Sequence, residues 1–85
     1  MEHIEEKYEL MEELFNVLLW FHNYSYGYLI PAYYKCHIQD ALHYYSIIDS
    51  VKNPDEAFAK FKDMVYTLKS ETADLIQNGK RFGEN

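Results

Sequence analysis

The stretch HNYSYGYLIP, residues 22–31, decides how the rest of the chain is read. Tyr24, Tyr26 and Tyr28 alternate as the residues of a half-buried strand do. A strand needs a partner, and no second candidate exists elsewhere in the sequence, so a sheet is rejected. The stretch reads instead as a connector. Gly27 offers a left-handed stop for a helix before it, and Pro31, tolerated at a first helical position but not in an interior, offers the start of the next. The fold class that follows is all-α: a small antiparallel three-helix bundle with an aromatic-rich connector between helices 1 and 2.

Upstream of the connector, helix 1 is expected over residues 3–22. At about 100° per residue, Ile4, Tyr8, Met11, Phe15, Leu18 and His22 form one stripe, and Leu10, Leu14, Val17 and Phe21 a second beside it. Together they span more of the circumference than a helix lying on one core requires, so the helix is expected to be covered from two sides. Glutamates fill the remaining sector. Trp20 is the misfit, because it projects toward Glu13 and Asn16, unless the helix ends or bends near Leu19 and returns it to the core.

Downstream, helix 2 is expected over 31–50 with Tyr34, Ile38, Ala41, Leu42, Tyr45 and Ile48 as its core stripe. Its second face mixes Tyr33, Cys36, His37, Asp40, Tyr44, Ile47 and Val51, rings interleaved with titratable groups as in contact surfaces. Helix 3 is expected over 54–78: Asn53 caps, Pro54 takes the first position, and Asp55 and Glu56 complement the dipole. Its apolar stripe is Phe58, Phe61, Met64, Val65, Leu68, Thr72, Leu75 and Ile76, ended by Gly79, with Tyr66 on the opposite side. Residues 80–85 are expected to fray. No repeat or composition shift divides residues 1–85, which read as a single helical domain.

Composition limits the function classes. The 18% aromatic content, with nine tyrosines, is more than three short helices readily hide, which points to an interface and to self-association, most simply a symmetric dimer. The net charge of −6 is concentrated in helix 1, where Glu2, Glu5, Glu6, Glu9, Glu12 and Glu13 face only Lys7. Such a field repels phosphate backbones and attracts a basic partner, so direct nucleic-acid binding is not expected. The lone Cys36 and the absence of a basic leader or long apolar run suggest a cytoplasmic protein without a membrane segment.

The chemical constellations are thin. Cys36, Asp40 and His43 share a helix face and are ligand types for zinc or iron, but neither other helix presents a matching pair, so no metal or other cofactor is assigned. Cys36 and His37 point about 100° apart and do not make a nucleophile and base, so no catalytic residue is assigned and the chain is not expected to be an enzyme. The tyrosines of the connector could enclose a cation in an aromatic cage, or plug the end of the bundle with their hydroxyls at the water line. The expected function is a non-enzymatic, acidic protein-interaction module. Its expected contact residues are Glu9, Glu13, Trp20, Tyr24, Tyr26, Tyr28, Tyr33, His37, Asp40 and Tyr44. One version is an inhibitor or regulator, of the phage or mobile-element type, that occupies a basic surface. The alternatives are a small-molecule or metal-binding protein built on the tyrosine-rich and Cys36/Asp40/His43 face, and a purely structural self-assembling one.

Overall fold

Three stretches of helix-forming sequence separated by Gly and Pro produce three helices: α1 (Ile4–Tyr24), α2 (Ala32–Ile47) and α3 (Pro54–Asn78). The computed structural model describes residues 4–83, and the side chain of Ile4 is not among the features described. The expected contributions of Glu2 and of the Ile4 side chain, and the last two residues of the expected frayed tail, therefore lie outside it. The bundle is elongated, 49 × 21 × 17 Å.

Direction follows from the cross-helix pairs. Lys62 Nζ donates to Glu6 Oε1 (2.6 Å) and Lys69 Nζ to Glu13 Oε1 (2.9 Å), so partners advance together and α1 runs parallel to α3. Along α2 the partners run backwards: Tyr34 meets Thr72, His37 meets Glu71, and Tyr45 stacks on Phe61. The bundle is therefore up-down-up, as short connections require. Both α1 and α2 pack chiefly on α3, whose buried stripe of Ala57, Phe58, Phe61, Val65, Leu68, Thr72 and Leu75 forms the spine of the core. Phe61, Val65 and Leu68 are fully buried, with Leu10, Leu14 and Val17 from α1 and Tyr34, Ile38, Ala41 and Ile48 from α2 around them.

Several local expectations are corrected. α1 continues two residues further than expected, while α2 starts one residue later and ends three earlier. Gly27 is not left-handed; the only positive φ among the described residues belongs to Gly83. The connector turns instead through hydrogen bonds from Ser25 N to Phe21 O and from Gly27 N to Tyr24 O. Pro31 sits just before α2 in extended conformation, and its carbonyl accepts from the amides of Tyr34 and Lys35. Asn53 occupies the capping position of α3, but its side chain makes no capping bond.

The tail is also more ordered than its composition suggests. Residues 80–82 fold back on the connector: Leu29 N donates to Lys80 O (2.8 Å), Phe82 N to Gly27 O (3.3 Å), and Tyr28 and Arg81 form an isolated antiparallel bridge. The strand-like alternation in the connector thus has a real partner, although one too short to read as a strand. Gly79 makes the reversal possible, because a Cβ there would run into the Leu75 carbonyl.

Candidate functional site

Of the two apolar stripes on α1, only one is covered. Leu10, Leu14 and Val17 are buried and Phe21 half-buried, whereas Tyr8 (65% exposed), Phe15 (63%) and Leu19 (46%) face outward, with Met11 and Leu18 half-buried at the edge of that surface. Two other helices cannot enclose both sides of α1, so the expectation of two-sided cover is not met within one chain. Tyr8, Met11 and Phe15, with Glu9 and Glu12, enclose an open, shallow depression of about 490 Å³. The carboxylates beside it are uncommitted. Glu5, Glu9 and Glu12 make no ion pair or hydrogen bond among the described residues, whereas Glu6 and Glu13 are held by Lys62 and Lys69.

The expected contact residues do not converge on one surface. Trp20 is half-buried, its ring 5.9 Å from Tyr24, 5.6 Å from Tyr28 and 6.1 Å edge-on from Tyr34. No bend in α1 is needed for this, because the connector and the start of α2 close over the ring. Tyr28 is buried, and Arg81 lies over its ring (5.2 Å) while donating to its hydroxyl (3.3 Å). These rings therefore plug the end of the bundle, and the cation on Tyr28 is the chain's own. Tyr24 is half-exposed within this cluster, and Tyr26, 88% exposed, stands outside it.

On α2, the second face divides. His37 and Tyr44 turn toward α3, where His37 Nδ1 pairs with both oxygens of Glu71 (2.8 and 3.0 Å) and Tyr44 lies 6.0 Å from the Lys60 ammonium. Ile47 and Val51 pack on the core beside Tyr44. Tyr33, Cys36, Asp40 and His43 remain exposed. Leu42 and Ile76, expected in the core, are 42% and 52% exposed. Leu42 fell outside because α2 meets α3 along the Tyr34 to Ile48 line, one step around the helix. Among the described residues no three His, Cys, Asp or Glu side chains come together as metal ligands, so Cys36, Asp40 and His43 do not form a ligand group.

Two further features were not legible in the sequence. The first is a buried relay: Thr72 Oγ1 donates to the Leu68 carbonyl (2.7 Å), which leaves it to accept from the Tyr34 hydroxyl (2.5 Å). Burial pushes the Tyr34 phenol above its ordinary pKa, and the charge of Glu71 adds to the rise. The second is a cleft of about 400 Å³ between the connector and the tail, lined by Phe21, Tyr26, Leu29, Ile30 and Phe82 with Lys35 at its side. It exists only because residues 80–82 return to the connector, a pairing across more than fifty residues that no local pattern signals.

Chemically, the α1 face offers apolar area beside unneutralised carboxylates, and no described constellation supplies a nucleophile with a base. No helix among the described residues is long and apolar enough to cross a membrane. No protein-family model, curated protein or solved structure matches this chain.

Proposed function

We propose that the chain is a non-enzymatic protein-interaction module whose outer α1 face docks on a basic surface of a partner protein, in the manner of an inhibitor or regulator. The observation that carries this reading is the combination on one helix face of Tyr8 and Phe15, nearly two thirds exposed, with Glu5, Glu9 and Glu12, which have no ion pair among the described residues. Large rings supply buried area on binding, and the carboxylates steer and orient a cationic partner. The contact set is thereby moved from Trp20, Tyr24 and Tyr28, whose rings are occupied with one another, to the outer stripe of α1.

The test is partner capture from the native host followed by affinity measurement across ionic strength. Affinity is expected to fall steeply with salt, and to be lost in a Glu5→Lys, Glu9→Lys, Glu12→Lys triple variant that keeps its helical circular dichroism. Salt-insensitive binding that tolerates this charge reversal would sink the reading. The cleft beneath the tail favours a second reading, a small-molecule binding protein, since it combines apolar walls with the cation of Lys35. A thermal-shift panel of small carboxylates separates the two: stabilisation that disappears in Lys35→Ala supports the second reading.

A further inference from the structure

The seam between α1 and α2 has the form of a helix-binding groove. Both helices pack chiefly on α3 and touch each other only sparsely. One wall is the outward stripe of α1, where Tyr8, Met11, Phe15 and Leu18 follow at steps of three, four and three, the spacing by which one helix meets another along its length. The other wall includes Leu42. This side chain lies one helical turn before Tyr45, over whose ring the Lys7 ammonium of α1 sits (5.5 Å), so Leu42 and Tyr45 share the α1-facing side of α2. The same lysine forms an ion pair with Asp49 in the turn after α2 (3.0 Å). The same ion pair at one end of the seam, and the Phe21–Tyr34 contact at the other (6.1 Å), bring Leu42 level with the middle of the α1 stripe.

We infer that this seam receives one basic amphipathic helix of a partner protein, completing a four-helix arrangement. The inference rests on the functional reading above and names the element that the partner contributes. From Tyr8 to Leu18 the stripe rises about 15 Å, close to three helical turns, so a helix of ordinary length covers it. Charge selects the occupant. Glu5, Glu9 and Glu12 rim the stripe on the side away from α2 with no ion pair among the described residues, and lysines or arginines flanking the partner's apolar stripe neutralise them. A second copy of this chain brings an equally apolar face, but with the same three carboxylates and another net charge of −6. Like charges then face each other across the new contact.

The experiment uses the full chain, labelled for NMR, and two synthetic 18-residue helical peptides with one identical leucine stripe, flanked in one by lysines and in the other by glutamates. The lysine peptide is expected to bind one to one, roughly tenfold or more tighter than the glutamate peptide, shifting amides along the outer face of α1 and around Leu42. Phe15→Ser and Leu42→Ser, each checked for an unchanged fold, are expected to weaken it by about five- to tenfold. In the Glu5→Lys, Glu9→Lys, Glu12→Lys variant the preference should invert. Binding of the lysine peptide that is indifferent to Leu42→Ser but lost on charge reversal overturns the seam while leaving the acidic-face reading intact. Equal binding of both peptides, or none, overturns the helix as occupant. Sedimentation showing a dimer that Phe15→Ser converts to monomer assigns the face to a second copy and overturns the inference.

Discussion

Tyr34 sits where the three helices meet, its ring against Trp20 and Phe21 of α1 and its hydroxyl bonded to Thr72 of α3. The hydroxyl donates a hydrogen bond to Thr72, and Thr72 donates its own to the Leu68 carbonyl, so the two partners are not equivalent. Thr72→Val leaves a buried phenol with no acceptor and is expected to cost about 1–3 kcal/mol, whereas Tyr34→Phe leaves Thr72 its bond to Leu68 and should cost nearer 1 kcal/mol. Urea denaturation of the single variants and of the double, which should lie close to Tyr34→Phe alone, checks this ordering. Because the folded-state pKa of Tyr34 lies above its unfolded value, its contribution is complete below about pH 10 and is lost as pH rises through the folded value. Denaturation between pH 8 and 11 is therefore expected to show an alkaline loss of stability that is shallower in Tyr34→Phe. The place of Tyr34 in the core was legible, since it begins a regular stripe with Ile38, Ala41 and Tyr45; its bond to Thr72 was not, because a stripe says nothing about which hydroxyl on another helix lies opposite.

At the scale of elements, the helices were readable because their apolar residues recur at helical spacing and Pro54 and Gly79 bracket α3. What periodicity could not supply was which stripe of α1 is covered. Both are apolar, and the one covered is that of Leu10, Leu14 and Val17, flanked by Glu6 and Glu13 where they reach Lys62 and Lys69. Trp20 was misplaced for a related reason: the carboxylates of its sector lie in the first half of α1, and the rings that enclose it arrive from the connector and α2. The connector itself depends on the reversal after α3. Gly79 has an ordinary extended conformation, so any cost of Gly79→Ala comes from the new Cβ against the Leu75 carbonyl. The variant is expected to lose about 1–3 kcal/mol. Faster hydrogen exchange at the Leu29 amide, which donates to Lys80, should accompany the loss.

For the whole molecule, stability and binding are expected to reside on different sides of α1. Leu68→Ala, at the fully buried spine, is expected to cost about 2–5 kcal/mol, whereas Phe15→Ser on the exposed stripe should change stability by no more than about 0.5 kcal/mol while removing partner affinity. Thermal melts alongside peptide titrations distinguish the two effects; a Phe15→Ser variant as unstable as Leu68→Ala would place that ring in the core. The two ion pairs between α1 and α3 carry a further consequence. They repeat at an interval of seven residues, so sliding α1 along α3 by one heptad re-forms one of them and still sets apolar rows against each other. One exposed ion pair, worth little on a solvated surface, does not by itself fix which of these two alignments forms. The bridge of Tyr28 to Arg81 does, because it ties the end of α1 to the end of α3 at one fixed axial position. The short returning tail thus serves as the molecule's index mark, selecting one alignment of the two.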